Sequence, residues 1–149
     1  MNTNIAQLYS IAQKKSKLII GLMSGTSLDG LDIALCRFTG SGLDTKIEVL
    51  QFETAVYNDD FKQEVSSIFS KKNIDLEKLC LLNAWIATVH ANMINACLNK
   101  WKVLNKTVDI IASHGQTIYH APQKLHQQRK FSNATLQIGD GDHIAVQTG

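Results

Sequence analysis

KLIIGLMSGTSLDGLDIALCRF, residues 17–38, is the stretch on which the fold turns. Lys17–Met23 is short, apolar and rich in β-formers, so it reads as a buried strand. Leu31–Phe38 resumes in the same manner, and the intervening Ser24–Gly30 has the composition of a tight turn. Working outward, Thr39–Gly42 is a second turn, and Ile47–Tyr57 alternates well enough for a third strand. Connections this short join antiparallel neighbours, so the three strands form a meander.

Helices follow. Asn58 or Asp59 can cap a helix running to about Ser70. Asp75 can cap a longer one over Leu76–Trp101, where Leu76, Leu79, Cys80, Asn83, Ile86, Ala87, His90, Met93, Ile94, Cys97, Leu98 and Trp101 recur at three- and four-residue steps. Val108–Ala112 reads as another short buried strand that ends at Ser113–Thr117. Pro122 opens a polar surface loop, Gln123–Asn133. Thr135–Ile138 is a further strand, and His143–Gln147 has room for one or two helical turns. Residues 1–16 are a polar lead-in of helical character, which leaves 17–149 as a single α/β unit with a mixed sheet.

Composition bounds the function. The chain has 149 residues, 44% hydrophobic and 19% charged, which is the size and make-up of one folded domain. A net charge of +2 argues for neither nucleic acid nor an anionic membrane surface. No apolar run approaches the ~20 residues of a membrane span, and Met1–Lys17 lacks the apolar core of a secretory signal. A cytoplasmic location is the expectation. Cys36, Cys80 and Cys97 are odd in number and unpaired in sequence, so they read as reduced core thiols.

Two segments carry chemistry. Gly25–Gly30 combines glycines, which let a phosphate approach the backbone, with Thr26 and Ser27 hydroxyls as extra donors. It has no Walker A lysine. Asp29 and Asp32 would repel a phosphate directly, so they either bind Mg²⁺ through water or hold the loop by accepting its N–H groups. The competing reading is an ordinary hairpin whose left-handed turn is Asp29-Gly30. His114-Gly115-Gln116-Thr117 sits just past a strand's C-terminal end, where α/β sheets gather ligands, with Gln116 and Thr117 able to bond sugar hydroxyls. Otherwise His114 merely satisfies a nearby carbonyl.

Asn83 and His90 share the apolar face of the long helix, either bracing a loop or sitting as satisfied core groups. Asp140 and Asp142 either cap the segment after them or border a ligand site. A serine hydrolase built on Ser24 or Ser27 with His114 is disfavoured, since position 29 is Asp where a GxSxG elbow needs Gly.

Together, Gly21–Asp32 (GLMSGTSLDGLD), Ser113–Thr117 with His120 and Pro122, and Thr135–Asp140 (TLQIGD) resemble the anhydro-N-acetylmuramic acid kinase family, over residues 18–149. The resemblance implies an actin/hexokinase/Hsp70-like, ribonuclease H-like ATPase lobe, incomplete relative to the family's two lobes. It implies ATP and Mg²⁺, an anhydro-amino-sugar substrate, and a homodimer. Gly25, Thr26, Ser27, Leu28, Asp29, Gly30, Leu31 and Asp32 would form the first phosphate loop, with Asp29 and Asp32 toward Mg²⁺. His114, Gly115, Gln116 and Thr117 would line the sugar pocket.

Two departures stand out. Pro122–Asn133 looks longer and more basic (Lys124, Arg129, Lys130) than the family pattern, as a surface insertion would. The family's general-base aspartate is expected beyond Gly149, so no catalytic residue is assigned here and these 149 residues are expected to be catalytically silent. The alternative is a half-length, non-catalytic binding or assembly module of the same fold, which gel filtration would show as monodisperse.

Overall fold

A computed structural model of the chain describes residues 3–149; the first two residues of the lead-in lie outside it. The elements run α1 (Thr3–Gln13), β1 (Ser16–Ser24), β2 (Gly30–Thr39), β3 (Lys46–Val56), α2 (Asp59–Ser66), α3 (Leu76–Trp101), β4 (Ile110–Ala121), α4 (Gln123–His126), β5 (Ala134–Ile138) and α5 (Gly141–Thr148). The five strands form one mixed sheet in the order β3-β2-β1-β4-β5. β1, β2 and β3 pair antiparallel as the meander requires, β4 joins β1 in parallel, and β5 returns antiparallel along β4.

Alternation divides the sheet into a covered and an open face. Ile20, Leu22, Leu31, Ile33, Leu35 and Ile118 meet Ile86, Ile94 and Leu98 of α3, with Phe61 and Val65 of α2 and Ile144 of α5, in one apolar core. On the other side Met23, Ile47, Val49, Phe52 and Val56 are exposed, and α1 contributes no buried residue. Lys17–Met23 and Val108–Ala112 are therefore not buried strands as the sequence suggests. Each hides one face only, and Ile110 and Ala112 are exposed.

The long helix matches its expected bounds because its caps are local. The Asp75 carboxylate accepts from the Glu77 and Lys78 N–H groups, and Lys102 closes the far end at φ +58°. Its stripe is the expected one at Ile86, Ala87, His90, Ile94, Cys97 and Leu98, all buried, and departs from it at the first turns and at one further position. Leu82 and Ala91 are buried, whereas Leu76 and Cys80 are exposed. Of the three thiols only Cys97 is fully buried, so the core-thiol reading fails for Cys80. The preceding helix stops at Ser66, short of Ser70. The Ser67 hydroxyl bonds back to the Glu64 carbonyl, and the Ser70 N–H leaves the helix for the Ile118 carbonyl of β4, 2.9 Å away.

Two polar residues of α3 face inward with different partners. The Asn83 side chain accepts from the Gly139 N–H at 2.8 Å and its carbonyl from the Asp140 N–H at 3.1 Å, so it braces the turn between β5 and α5. Asp140 then caps α5 through the Asp142 and His143 N–H groups. His90 is fully buried, its ring beside Tyr57 and Phe61.

Burial predicts the outcome of two substitutions. Ile94→Ala, in the core, should cost about 2–5 kcal/mol in urea unfolding, and Cys80→Ser no more than about 0.5 kcal/mol. Burial also pushes the His90 imidazole from 6.5 down to about 4. The unfolded chain thus takes up a proton near 6.5 that the fold refuses until about 4, and the stability present above 6.5 is lost as pH falls through that window. Between about pH 7 and about pH 4.5 the chain should lose roughly 2–3 kcal/mol more than His90→Gln, measured by urea unfolding at each pH.

Candidate functional site

The Gly25–Asp29 connection leaves the C-terminal end of β1 and is fastened at three points. The Gly25 carbonyl accepts from the Gln116 side-chain amide at 3.2 Å, and the Asp29 carbonyl accepts from the Tyr57 N–H at 3.3 Å. Between them Leu28 buries its side chain in the core although its backbone is left-handed, at φ +57°. Left-handed backbone costs a residue with a Cβ roughly 1–2 kcal/mol, and burying a leucine recovers about 1.5–3 kcal/mol, so burial decides the turn. The left-handed residue is Leu28 rather than Gly30. Gly30 is small for another reason: a Cβ there would lie 2.5 Å from the Ala55 carbonyl oxygen of β3.

Thr26 and Ser27, between the fastenings, are exposed. Neither the Thr26 nor the Ser27 side chain or N–H has a hydrogen-bond partner among the described residues. Asp29 is exposed as well. Asp32 lies on β2 opposite Thr54, whose hydroxyl donates to one of its carboxylate oxygens at 2.6 Å.

The second segment is not a turn past a strand's end, as expected from sequence. Ser113–Thr117 lies inside β4, which runs on to Ala121. Against β1 the register steps from Leu22↔Ser113 to Ser24↔Gln116, two residues facing three, which is a β-bulge. Gly115 absorbs it at φ +71°, where a Cβ would meet the Ile138 carbonyl oxygen at 2.6 Å. The extra residue brings Gln116 level with Ser24 on the covered face.

There a buried polar chain forms. The Ser24 hydroxyl donates to the Gln116 side-chain oxygen and lies 2.7 Å from the Tyr57 hydroxyl. Tyr57 in turn lies 2.8 Å from Nε2 of His90. The Gln116 NH₂ donates to the carbonyls of Gly25 and Thr117. Burial pushes the Tyr57 hydroxyl up to about 12, so it stays protonated.

The motif's four residues therefore separate. Gln116 and Thr117 present no useful surface, Gly115 shapes the bulge, and His114 is exposed with Nδ1 3.4 Å from the Gly115 carbonyl. Past them the Pro122–Asn133 excursion begins with the short helix α4 and bounds a cleft of about 730 Å³ lined by Tyr119, His120, Leu125, His126 and Phe131. Ser24 is engaged by Tyr57 and Gln116, not by His114, which leaves the hydrolase pairing unformed. Tyr57 is the residue that sequence reasoning passed over. Its only signal was an aromatic at the end of an alternating strand.

Comparison with known proteins agrees with the motifs. The family model described as anhydro-N-acetylmuramic acid kinase matches residues 17–149. Proteins named anhydro-N-acetylmuramic acid kinase are similar throughout. The one from Pseudoalteromonas atlantica is 57% identical over 149 residues, all of this chain and 37% of its own length. That from Caldanaerobacter subterraneus is 38% identical over 143 residues, 96% of this chain and 36% of its own. One from Bacillus thuringiensis is 39% identical over 130 residues, covering 87% and 33%. The chain thus spans a little over a third of the length of the first two of these relatives and about a third of the last. With its mixed five-stranded sheet and helices packed upon it, the chain belongs to the anhydro-N-acetylmuramic acid kinase family, sugar kinases of the actin/hexokinase/Hsp70 type.

Proposed function

We propose that residues 17–149 are the N-terminal, phosphate-binding lobe of an ATP-dependent 1,6-anhydro-N-acetylmuramic acid kinase. In the reaction so assigned, water opens the anhydro bridge while the γ-phosphoryl of ATP passes to O6. The product is N-acetylmuramic acid 6-phosphate, and the setting is peptidoglycan recycling in the cytoplasm. The observation that carries the reading is the Gly25–Asp29 loop, fixed at both ends with Thr26 and Ser27 free between them. Phosphoryl transfer relies on positioning and charge neutralisation, and a fixed loop of free donors supplies both.

Each residue has a role in this scheme. Gly25–Asp32 hold the β- and γ-phosphates through N–H and hydroxyl donors. Asp29 and Asp32 are hard oxygen donors beside that loop, and one Asp32 oxygen is steadied by Thr54. Such a pair fits Mg²⁺ held through water, and bound there the ion supplies neutralisation of the phosphate charge. The His114–Thr117 segment borders the sugar pocket, with His114 as its exposed side chain and Gln116 shaping the site from behind. No general base is assigned among these residues, so the 149-residue chain binds nucleotide without turning it over.

The test is a titration of the isotopically labelled 149-residue chain with MgATP, read at backbone amides. Shifts should centre on Gly25–Asp32, and Asp29→Ala should weaken binding about tenfold in Mg²⁺, the worth of one charge-assisted contact. Shifts centred elsewhere would overturn the phosphate loop. Phosphoryl transfer to anhydro-N-acetylmuramic acid that disappears in Asp29→Ala would overturn the silent lobe.

A further inference from the structure

The proton positions in the buried chain follow from its chemistry. The Gln116 NH₂ faces two carbonyl oxygens, of Gly25 and Thr117. Turning that amide over would set oxygen against oxygen twice, so its orientation is fixed, with Oε1 toward Ser24. Oε1 only accepts, so the single Ser24 proton goes to it. Tyr57 must then donate to Ser24, which leaves its oxygen as acceptor for His90. The uncharged imidazole therefore carries its proton on Nε2. The other end of the ring, Nδ1, is buried and has no partner among the described residues, so Nε2 makes the ring's one hydrogen bond there. The chain runs one way, from His90 through Tyr57 and Ser24 to Gln116.

Direction has a consequence at the loop. In a trans peptide the carbonyl and the following N–H point opposite ways, and no peptide among the described residues is cis. With the Gly25 carbonyl drawn inward onto Gln116, the Thr26 N–H is turned outward, and no described residue accepts from it.

We propose that Gln116 is a positioning residue: its amide, held by the Thr117 carbonyl on one side and by the Ser24 hydroxyl at the end of the buried chain on the other, keeps the Gly25 carbonyl inward and so presents the Thr26 N–H to an anion on the solvent side of the loop. The orientation stands on geometry alone; that the anion is a nucleotide phosphate rests on the function proposed above. Gln116 acts through the loop and does not touch the ligand.

The experiment has two readouts on the unliganded chain. Long-range ¹H–¹⁵N spectra of its histidines at neutral pH should give His90 the Nε2–H tautomer. In Gln116→Met, which keeps size but removes both donor and acceptor, the amide resonances of Gly25–Leu28 should move while those of α5 stay. Should Gln116→Met not fold, Tyr57→Phe breaks the same chain two links away and should move the same loop resonances. An Nδ1–H tautomer, or loop resonances unmoved in the variant that folds, overturns the proposal, since a space-filling role tolerates either change. MgATP binding then tests the ligand: the folded variant should bind about tenfold more weakly than the unaltered chain, about one lost hydrogen bond. Variant affinity equal to that of the unaltered chain counts against the positioning role. Absence of binding by the unaltered chain overturns the phosphate reading and leaves the orientation to the first two readouts.

Discussion

One inserted residue in β4 decides how the two motif segments meet. Sheet side chains alternate with period two, so without the bulge Gly115 would stand level with Ser24 and Gln116 would face the other way. With it, Gln116 reaches Ser24 and Gly25. The bulge demands a residue without a Cβ, because both the positive φ and the Ile138 carbonyl at 2.6 Å exclude one. Gly139 packs beside Gly115 with its backbone at φ +126°, a conformation that residues with a Cβ rarely adopt. Histidine, glycine and glutamine are contiguous in the motif for different reasons: one is exposed, one permits the bulge, and one is buried by it.

The parts of the fold legible in the sequence are those governed by local physics. Strand alternation, the Asp75 and Asn58 caps and the short meander turns act over a few residues, and the elements appear where those signals stand. What was not legible depends on the sheet having only one face covered. An apolar run such as Lys17–Met23 does not reveal whether both faces will be packed, and here Met23 is left exposed. The stripe on α3 illustrates the same limit. Helical spacing admits two adjacent stripes, one including Cys80 and the other Leu82, and only the rotation of α3 on the sheet chooses Leu82.

The candidate site was legible as a list of residues but not as a division of labour. Composition gave Gly25–Gly30 as donor-rich, and the free Thr26 and Ser27 are consistent with that. It could not separate Gln116 from His114, neighbours in sequence with opposite exposure. Nor could it connect Ser24, Tyr57 and His90, which are 33 residues apart at each step. A buried hydrogen-bond chain leaves no periodic trace. Its members are recognisable only as polar residues at positions whose neighbours are apolar, and His90 on the α3 stripe was the one such anomaly.

Fastening the loop determines what it can do when a ligand arrives. A flexible glycine-rich loop must be ordered on binding, at about 0.5–1.5 kcal/mol for each group immobilised. Here the Leu28 side chain, the Gly25 carbonyl and the Asp29 carbonyl are fixed beforehand by the core, by Gln116 and by the β3 end. The backbone strain at Leu28 is offset within the fold and is not charged against binding. The same logic explains why the polar chain behind the loop lies under the sheet's covered face. A hydrogen bond there holds its direction because water cannot compete for it.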